Sequence, residues 1–336
     1  MPVLDVSALA TDRIEAIRRL HDSLGNRKAE LDVSGGVDSA VMLGLLARAL
    51  GPESITAVFS GIHSSESSRT RAREAAEAQG VQLVELELSS IFDRLVESLL
   101  DGLERADHDL DEVRRRMETD PTVMGSFRSC LRAPIGRALN RMTGGAIRHG
   151  TGNECEDKFL RFYQKGGDGE VDTNPIAMLS KGEVYQLGLE LGVPHSILEA
   201  TPSPDLHGIG VVHDDEAELF QTTGVAWTYS RIDVQTGEYT TVGTIERMGR
   251  FLDTQSGHEL LEVNPLTDGH VASMLDTARG LFPDTSDAEI ERFLRSAHAL
   301  ERGTRHKWNP NIPELGSRAQ LVEAGLLTDT LPAHVS

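Results

Sequence analysis

The sequence is poor in several kinds of residue, and each shortage narrows what the chain can be. It has two cysteines among 336 residues, Cys130 and Cys155, and they are not in CxxC spacing. This argues against a disulfide framework and a structural zinc site, and favours a reducing compartment. No apolar run approaches the roughly 18 residues that span a bilayer, and the first twenty residues lack the pattern of a signal peptide. We therefore expect a cytoplasmic protein that does not contact membranes.

Positive charge is also scarce, because 33 Lys and Arg stand against 53 Asp and Glu, for a net charge of -20. Such a chain does not attract nucleic acid or an acidic membrane surface over long distances. An anionic ligand would have to be bound by a local group, such as a few cations, a helix N-terminus or a metal ion, since salt screens exposed charges beyond about 8 Å. The protein is thus expected to bind no nucleic acid.

Segments typical of strands and helices alternate through the first half of the chain. Apolar runs ending at residues 33 and 61, and one over 81–88, predict strands, while the segments 38–50 and 68–80 predict helices. This order predicts an α/β fold with a doubly wound parallel sheet and flanking helices, in a single domain over 1–336. Two β-rich runs joined by QTGE, at about 225–243, predict a small inserted hairpin that projects from the sheet.

The stretch SGGVDS, residues 34–39, places two glycines between a predicted strand and a predicted helix. A helix that begins there presents backbone N–H groups and the positive end of its dipole to an anion. Gly35 and Gly36 would let the main chain approach a phosphate, Ser34 and Ser39 could add hydroxyl donors, and Asp38 could bind Mg²⁺. The alternative is a plain strand-to-helix turn in which Asp38 caps the helix. A kinase-type phosphate loop fits poorly, because no G-x-x-x-x-G-K-[ST] pattern is present.

This loop resembles that of the ATP-pyrophosphatases, which split ATP into AMP and pyrophosphate while they activate an acid as an adenylate. Within that group, four downstream segments are similar, in the same order, to motifs of the ammonia-dependent NAD synthetases. They are GTGNECE (150–156), KGGDGEVDTNPIAMLSK (165–181), GVPHSILEATPSPDL (192–206) and HK (306–307). The resemblance extends from residue 30 to 315 and implies an adenine nucleotide alpha hydrolase-like fold, a homodimer, and ATP at the carboxyl ends of the strands.

The resemblance also implies roles for the residues at matching positions. Asp38 and Lys181 would be catalytic, and Asp38 and Glu156 would bind Mg²⁺. The ATP-binding residues would be Ser34, Gly35, Gly36, Asp38, Ser39, Thr151, Lys181 and Ser203. The residues that bind the acid, nicotinic acid adenine dinucleotide or an analogue, would be Arg132, Lys165, Asp172, His306 and Lys307, partly across a dimer interface. Considered without the motifs, Glu156 and Asp172 could be helix or turn caps.

The departures from the family pattern lie mainly where the acid would bind. Cys130 stands where the first of two arginines is usual, Ala200 where lysine is common, and Trp308 in place of an arginine. Arg128 could reach the first arginine's space from the previous turn, although a shift of two helical positions changes the face by about 200°. The nucleotide side therefore matches the family more closely than the acid side does.

Three hypotheses follow for the function. The first is synthesis of NAD from nicotinic acid adenine dinucleotide, ATP and ammonia. The second is a related ligase that uses a different carboxylic acid or amine, and the third is a nucleotide-binding homologue without catalysis. Because Asp38, Glu156 and Lys181 are all retained, the sequence favours an enzyme over the third. About 30 residues precede the loop, so we expect no glutaminase segment there, and nitrogen supplied as free ammonia, from a separate partner or as another amine.

Overall fold

The computed structural model describes residues 5–161, 163–201, 215–304, 307 and 316–329. The first half comprises α1 (Val6–Leu24), β1 (Ala29–Asp32), α2 (Val37–Leu50), a 3-10 turn (Pro52–Ser54), β2 (Ile55–Gly61), α3 (Glu66–Ala78), β3 (Leu83–Glu87), α4 (Ser89–Arg105), α5 (Leu110–Thr119), α6 (Pro121–Met142) and β4 (Ile147–His149). The second half comprises a π-helical segment (Glu154–Leu160), α7 (Lys181–Glu190), α8 (His195–Leu198), α9 (Asp215–Thr223), β5 (Arg231–Ile232), β6 (Tyr239–Thr241), α10 (Thr244–Leu252), α11 (Gln255–Glu262), α12 (Asp268–Leu281), α13 (Asp287–Thr304) and α14 (Arg318–Glu323).

The four strands β1 to β4 form one parallel sheet in the order β3-β2-β1-β4. The strand order reverses between β1 and β4, which are hydrogen-bonded neighbours although they lie far apart in the sequence. In open α/β sheets, ligands bind outside the carboxyl ends of the strands at such a reversal point. The prediction of an α/β fold with a doubly wound parallel sheet is confirmed, and the topology marks the edge where β1 and β4 end.

Helix α2 lies at the centre of the main hydrophobic core. Its sequence VDSAVMLGLLARAL is apolar on almost every face, and its side chains Val41, Leu43 and Leu45 are fully buried. A helix that is apolar all round must be covered on all sides, here by α1, α7 and the sheet. Each buried leucine or valine contributes about 1.5–3 kcal/mol to folding, so the N-terminus of α2 is held firmly beside the end of β1.

The strands β5 and β6 pair in antiparallel fashion within the range predicted for the hairpin. The expectation that this hairpin projects from the sheet is wrong. Gln186 of α7 donates a hydrogen bond to the carbonyl of Gly237 (2.8 Å), and Ile232 and Val234 pack against the main core. The hairpin therefore covers one side of α7.

The helices that follow the hairpin surround a second hydrophobic core. Trp227 and Tyr229 are each 1% exposed, and Trp227 donates to the hydroxyl of Ser296 in α13 (3.1 Å). Phe159 of the π-helical segment belongs to the same core, which joins the C-terminal helices to the segment after β4. Among the described helices, none combines the length and apolar character needed to cross a membrane.

Candidate active site

The loop between β1 and α2 has a backbone that only glycine allows at one position. Gly35 has a φ of +85°, in the left-handed region, and a Cβ there would lie 2.3 Å from the carbonyl oxygen of Ser68 in α3. The hydroxyl of Ser39 accepts from the Ser34 amide (3.2 Å) and donates to the Gly36 carbonyl (3.0 Å). The loop is thus packed against α3 and braced by its own hydroxyls.

The N-terminus of α2 begins at a residue without a side chain. Gly36 occupies the N-cap position, and the part of the chain that the structure describes provides no side-chain cap there. The sequence alternative in which Asp38 caps this helix is therefore wrong for this structure. Uncapped N–H groups at a helix start can bind an anion, and the helix dipole adds about half a positive charge there.

Asp38, Glu156 and Lys181 meet beside this helix start. The Lys181 ammonium donates to Asp38 Oδ2 (2.6 Å) and to Glu156 Oε1 (2.8 Å). Asn153 joins the two acids, because its amide donates to Asp38 Oδ1 (2.9 Å) and its carbonyl oxygen accepts from the Glu156 backbone N–H (3.2 Å). The three charged groups come from α2, the π-helical segment and α7, so the sheet edge brings together residues that lie up to 143 positions apart.

Burial and mutual attraction set the charges of this group. Burial alone would lower the pKa of Lys181, which is 3% exposed, but Asp38 and Glu156 outweigh that effect and raise its pKa well above the ordinary value. Burial raises the pKa of Glu156, and the ammonium of Lys181 opposes this. Two carboxylates around one ammonium carry surplus negative charge, so the lysine keeps its proton and the site favours an added cation.

These residues line a cavity of about 760 Å³ at the carboxyl edge of the sheet. The sequence-predicted site residues that line it are Ser34, Gly35, Gly36, Asp38, Ser39, Arg132, Thr151, Glu156, Lys181 and Lys307. Arg132 donates to the carbonyl of Ser60 at the end of β2 (3.1 Å). Lys307 donates to the carbonyl of Tyr163 (3.0 Å) on another wall of the cavity. Ser203 and His306 lie outside the described residues.

Lys165 and Asp172 do not line the cavity. Lys165 is exposed, and Asp172 accepts hydrogen bonds from the Arg137 guanidinium (2.9 Å) and the Arg148 backbone N–H (2.8 Å). Asp172 thus ties the segment after the π-helix to β4, and these two contacts are not those of a helix or turn cap. The contact of Lys165 and Asp172 with the acid therefore stays a prediction.

Arg128 does not take the place of the arginine that Cys130 replaces. Its side chain is buried, with the guanidinium carbon 5.7 Å from the ring centroid of Phe92, and it does not line the cavity. The Cys130 thiol lies against the carbonyl of Lys165 (4.0 Å). Arg132 is therefore the arginine of this helix that reaches the cavity.

The structure adds charged residues to the cavity wall that were not among the predicted site residues, and they include Arg71, Asp215 and Glu218. Burial, followed by the negative charge of Glu156, raises the pKa of Asp215 to about 7. Burial also raises the pKa of Glu218. The acidic run DDEAEL just after the PSPDL motif was the available signal for the two acids. Arg71 stands in RTRAR, where the letters do not show which arginine faces inward.

The C-terminal helices supply two buried cations that bind acids next to Glu156 and Lys181. Arg250 of α10 pairs with Glu154 (2.5 Å), two residues before Glu156. Arg318 of α14 makes two hydrogen bonds to Glu183 (2.9 and 3.0 Å), two residues after Lys181. Helices α10 and α14 therefore anchor the two segments that carry Glu156 and Lys181.

Comparison with known proteins identifies similar sequences. A family model described as NAD synthase matches residues 10–234. The chain is 31% identical over 216 residues to the NH(3)-dependent NAD(+) synthetase of Methanosarcina acetivorans, covering 61% of this chain and 74% of that protein. It is 32% identical over 211 residues to the enzyme of the same name from Trichlorobacter lovleyi, covering 62% of this chain and 67% of that protein.

Comparison with solved structures shows a shared fold. NMN synthetase from Francisella tularensis superposes with a TM-score of 0.61 at 18% identity, over 92% of this chain and 100% of that one. The NH3-dependent NAD synthetase from Campylobacter jejuni superposes with a TM-score of 0.54 at 16% identity, over 91% and 98% of the two chains. At these identities the likeness concerns the fold alone.

Proposed function

This chain belongs to the NAD synthase family, and on that basis we propose that it is an ATP-dependent carbon–nitrogen ligase that forms NAD from nicotinic acid adenine dinucleotide and ammonia. The observation that carries the proposal is the meeting of Asp38, Glu156 and Lys181 beside the uncapped start of α2. One cavity contains this group and the loop after β1, so triphosphate and charge-stabilising groups can meet there.

The chemistry needs positioning and charge stabilisation rather than a protein nucleophile. A carboxylate oxygen of the acid bonds to the α-phosphorus of ATP, the bond from that phosphorus to the pyrophosphate oxygen breaks, and pyrophosphate leaves with the electron pair. Ammonia then attacks the acyl carbon of the adenylate and AMP departs. The Lys181 ammonium and the amides at the start of α2 would stabilise the charge that develops on the phosphates.

Mg²⁺ is part of this proposal, with Asp38 and Glu156 as its protein ligands. One oxygen of each carboxylate already contacts the same ammonium, at 2.6 and 2.8 Å, so the pair can reach a single cation. Mg²⁺ is usually bound by one or two carboxylates together with substrate phosphates, and no group of three or more His, Cys, Asp or Glu in the described residues is arranged to hold a metal. When bound, the ion would act as a Lewis acid toward the phosphate oxygens.

The proposal includes a homodimer in the cytoplasm. Lys165 is exposed and outside the cavity of its own chain, which fits a residue that would contact the acid in a second copy. Both Cys130 and Cys155 are free thiols, as is usual in a reducing compartment. The nitrogen would arrive as free ammonia or from a separate partner that supplies it.

A second candidate is a ligase of the same chemistry that uses a different carboxylic acid. The observation in its favour is the loss of one cation on the acid side, since Cys130 replaces an arginine and Arg128 is buried against Phe92. A smaller acid than the dinucleotide, such as a mononucleotide of nicotinic acid, would have fewer groups to bind and would need fewer contacts there.

Steady-state assays would separate the two candidates. Purified protein is mixed with Mg-ATP, ammonium and either the dinucleotide or the mononucleotide of nicotinic acid, and AMP and the amide product are both measured. AMP and NAD in equal amounts with the dinucleotide would support the first candidate. AMP formed only with another acid would support the second, and ADP as the product, or no turnover with any acid, would contradict both.

A further inference from the structure

We propose that Arg71 of α3 binds the terminal phosphates of ATP and stabilises the departing pyrophosphate, an inference that rests on the proposed function. Arg71 lines the same cavity as Lys181, and its Nε donates to the carbonyl oxygen of Gly35 in the phosphate loop (3.0 Å). A second guanidinium nitrogen donates to the hydroxyl of Ser68 (3.3 Å). These bonds fix the plane of the guanidinium beside the glycine whose amide would face the ligand.

The loop itself provides no cation for this task. Residues 33–39, VSGGVDS, contain neither lysine nor arginine, and their one charged residue is the acid Asp38. A triphosphate that bound to these amides would carry several negative charges, and its cleavage would concentrate charge on the leaving pyrophosphate. A site with surplus carboxylates needs cations beside the loop to make that favourable.

Two other cations of the cavity wall have carboxylate partners, whereas Arg132 and Lys307 donate to backbone carbonyl oxygens. Lys181 is shared by Asp38 and Glu156, and Arg148 is paired with Glu30 and Asp32. Arg71, in contrast, makes no ion pair with any carboxylate in the described part of the chain, and its two hydrogen bonds use two of the five N–H donors of an arginine. Its charge is therefore available to an anion in the cavity.

The contact between α3 and the loop places the Arg71 guanidinium beside the backbone amides of the loop. The Cα of Gly35 comes so close to α3 that a Cβ would lie 2.3 Å from the carbonyl oxygen of Ser68. Arg71 follows Ser68 by three positions and lies on the same helix face. A planar guanidinium matches two oxygens of a phosphate, which a lysine at this position could not do.

The adjacent arginines of α3 serve another purpose and provide a matched control. Arg69 pairs with Glu87 (2.5 Å), and Arg73 pairs with Glu85 (2.8 Å) on the outer side of β3. Neither lines the cavity. The three arginines thus share one helix and similar sequence surroundings, while Arg71 alone among them faces the nucleotide site.

The test compares Arg71→Gln and Arg71→Lys with Arg73→Gln. In Arg71→Gln we expect AMP formation to slow by about 100-fold, as when one transition-state donor is removed. The inhibition constant of pyrophosphate should rise by about 10- to 100-fold, as for loss of a charged hydrogen bond. The KM of the acid should stay within about twofold, Arg71→Lys should recover part of the loss, and Arg73→Gln should match the wild type.

A binding measurement keeps the inference separate from the proposed function. Calorimetry on the full chain would measure the affinities for pyrophosphate and for AMP separately. Arg71→Gln should weaken pyrophosphate binding while leaving AMP binding nearly unchanged. Equal weakening of both ligands would show that Arg71 only shapes the loop, and unchanged pyrophosphate binding or inhibition would refute the contact. If the wild type forms no AMP with any acid, the proposed function fails, and the pyrophosphate measurement still decides the role of Arg71. Circular dichroism confirms folding, and Arg71→Lys is judged by the same criteria if Arg71→Gln does not fold.

Discussion

Replacing Asp215 with asparagine is expected to stabilise the protein at pH 8 and to leave its stability nearly unchanged at pH 4. Asp215 is the first residue of α9, is 7% exposed, and its Oδ1 has no hydrogen-bond partner within the described residues. Burial, and then the negative charge of Glu156, raises its pKa from 3.8 to about 7, although Lys181 acts in the opposite direction. The folded protein thus holds this proton more tightly than the unfolded chain does.

The sign and size of the effect follow from that difference in pKa. A carboxyl group whose pKa is raised by folding contributes stability below its unfolded pKa, and this contribution is lost as the pH rises through the folded pKa. The loss therefore falls between pH 3.8 and about 7. Each pH unit is equivalent to about 1.4 kcal/mol, so the ionised carboxylate costs the folded state about 4 kcal/mol at pH 8. Asparagine has no charge to desolvate and should recover much of that cost.

Urea denaturation from pH 4 to 8, without nucleotide or Mg²⁺, measures the free energy of unfolding of both proteins. The difference between Asp215→Asn and the wild type should grow across this range and reach its largest value near pH 8. Asp233→Asn is the control, because backbone N–H groups of Gln235 and Thr236 lower the pKa of this carboxyl, and its loss should bring no gain at pH 8. A variant of Asp215 that is less stable at pH 8, or equally stabilised at both ends of the range, would refute the reasoning.

Three further substitutions test other parts of the site. Asp38→Asn should abolish AMP formation while changing the free energy of unfolding by only about 1 kcal/mol; an active variant would contradict its assignment as a metal ligand. Arg250→Met should lower the free energy of unfolding by about 3 kcal/mol, because it leaves Glu154 buried without its closest cation; an unchanged urea midpoint would count against the anchor. Lys165→Ala should raise the KM of the acid more than that of ATP, and equal increases in steady-state assays would argue against its proposed contact with the acid.

Some residues of the candidate site could be predicted from the sequence more easily than others. Motif spacing was sufficient to select Asp38, Glu156 and Lys181, because each stands in a short segment whose glycines, acid or lysine have a recognisable order. The substrate side was harder, since Lys165 and Asp172 lie in a turn-rich segment whose path depends on the elements around it. Asp172 binds Arg137 and β4 in this structure, and no local pattern distinguishes that role from substrate binding.

The sequence by itself determined the first strands, the helix that starts after SGG and the parallel direction of the strands. Hydrophobic periodicity and glycine positions are local properties of the chain, and they are enough for these features. Only the tertiary structure decided which distant side chains meet. Arg71 reaches Gly35 across 36 positions, Arg250 reaches Glu154 across 96, and Arg318 reaches Glu183 across 135. Such contacts depend on how helices pack against the sheet and each other. An arginine that pairs with an acid of β3 looks the same in sequence as one that lines the cavity.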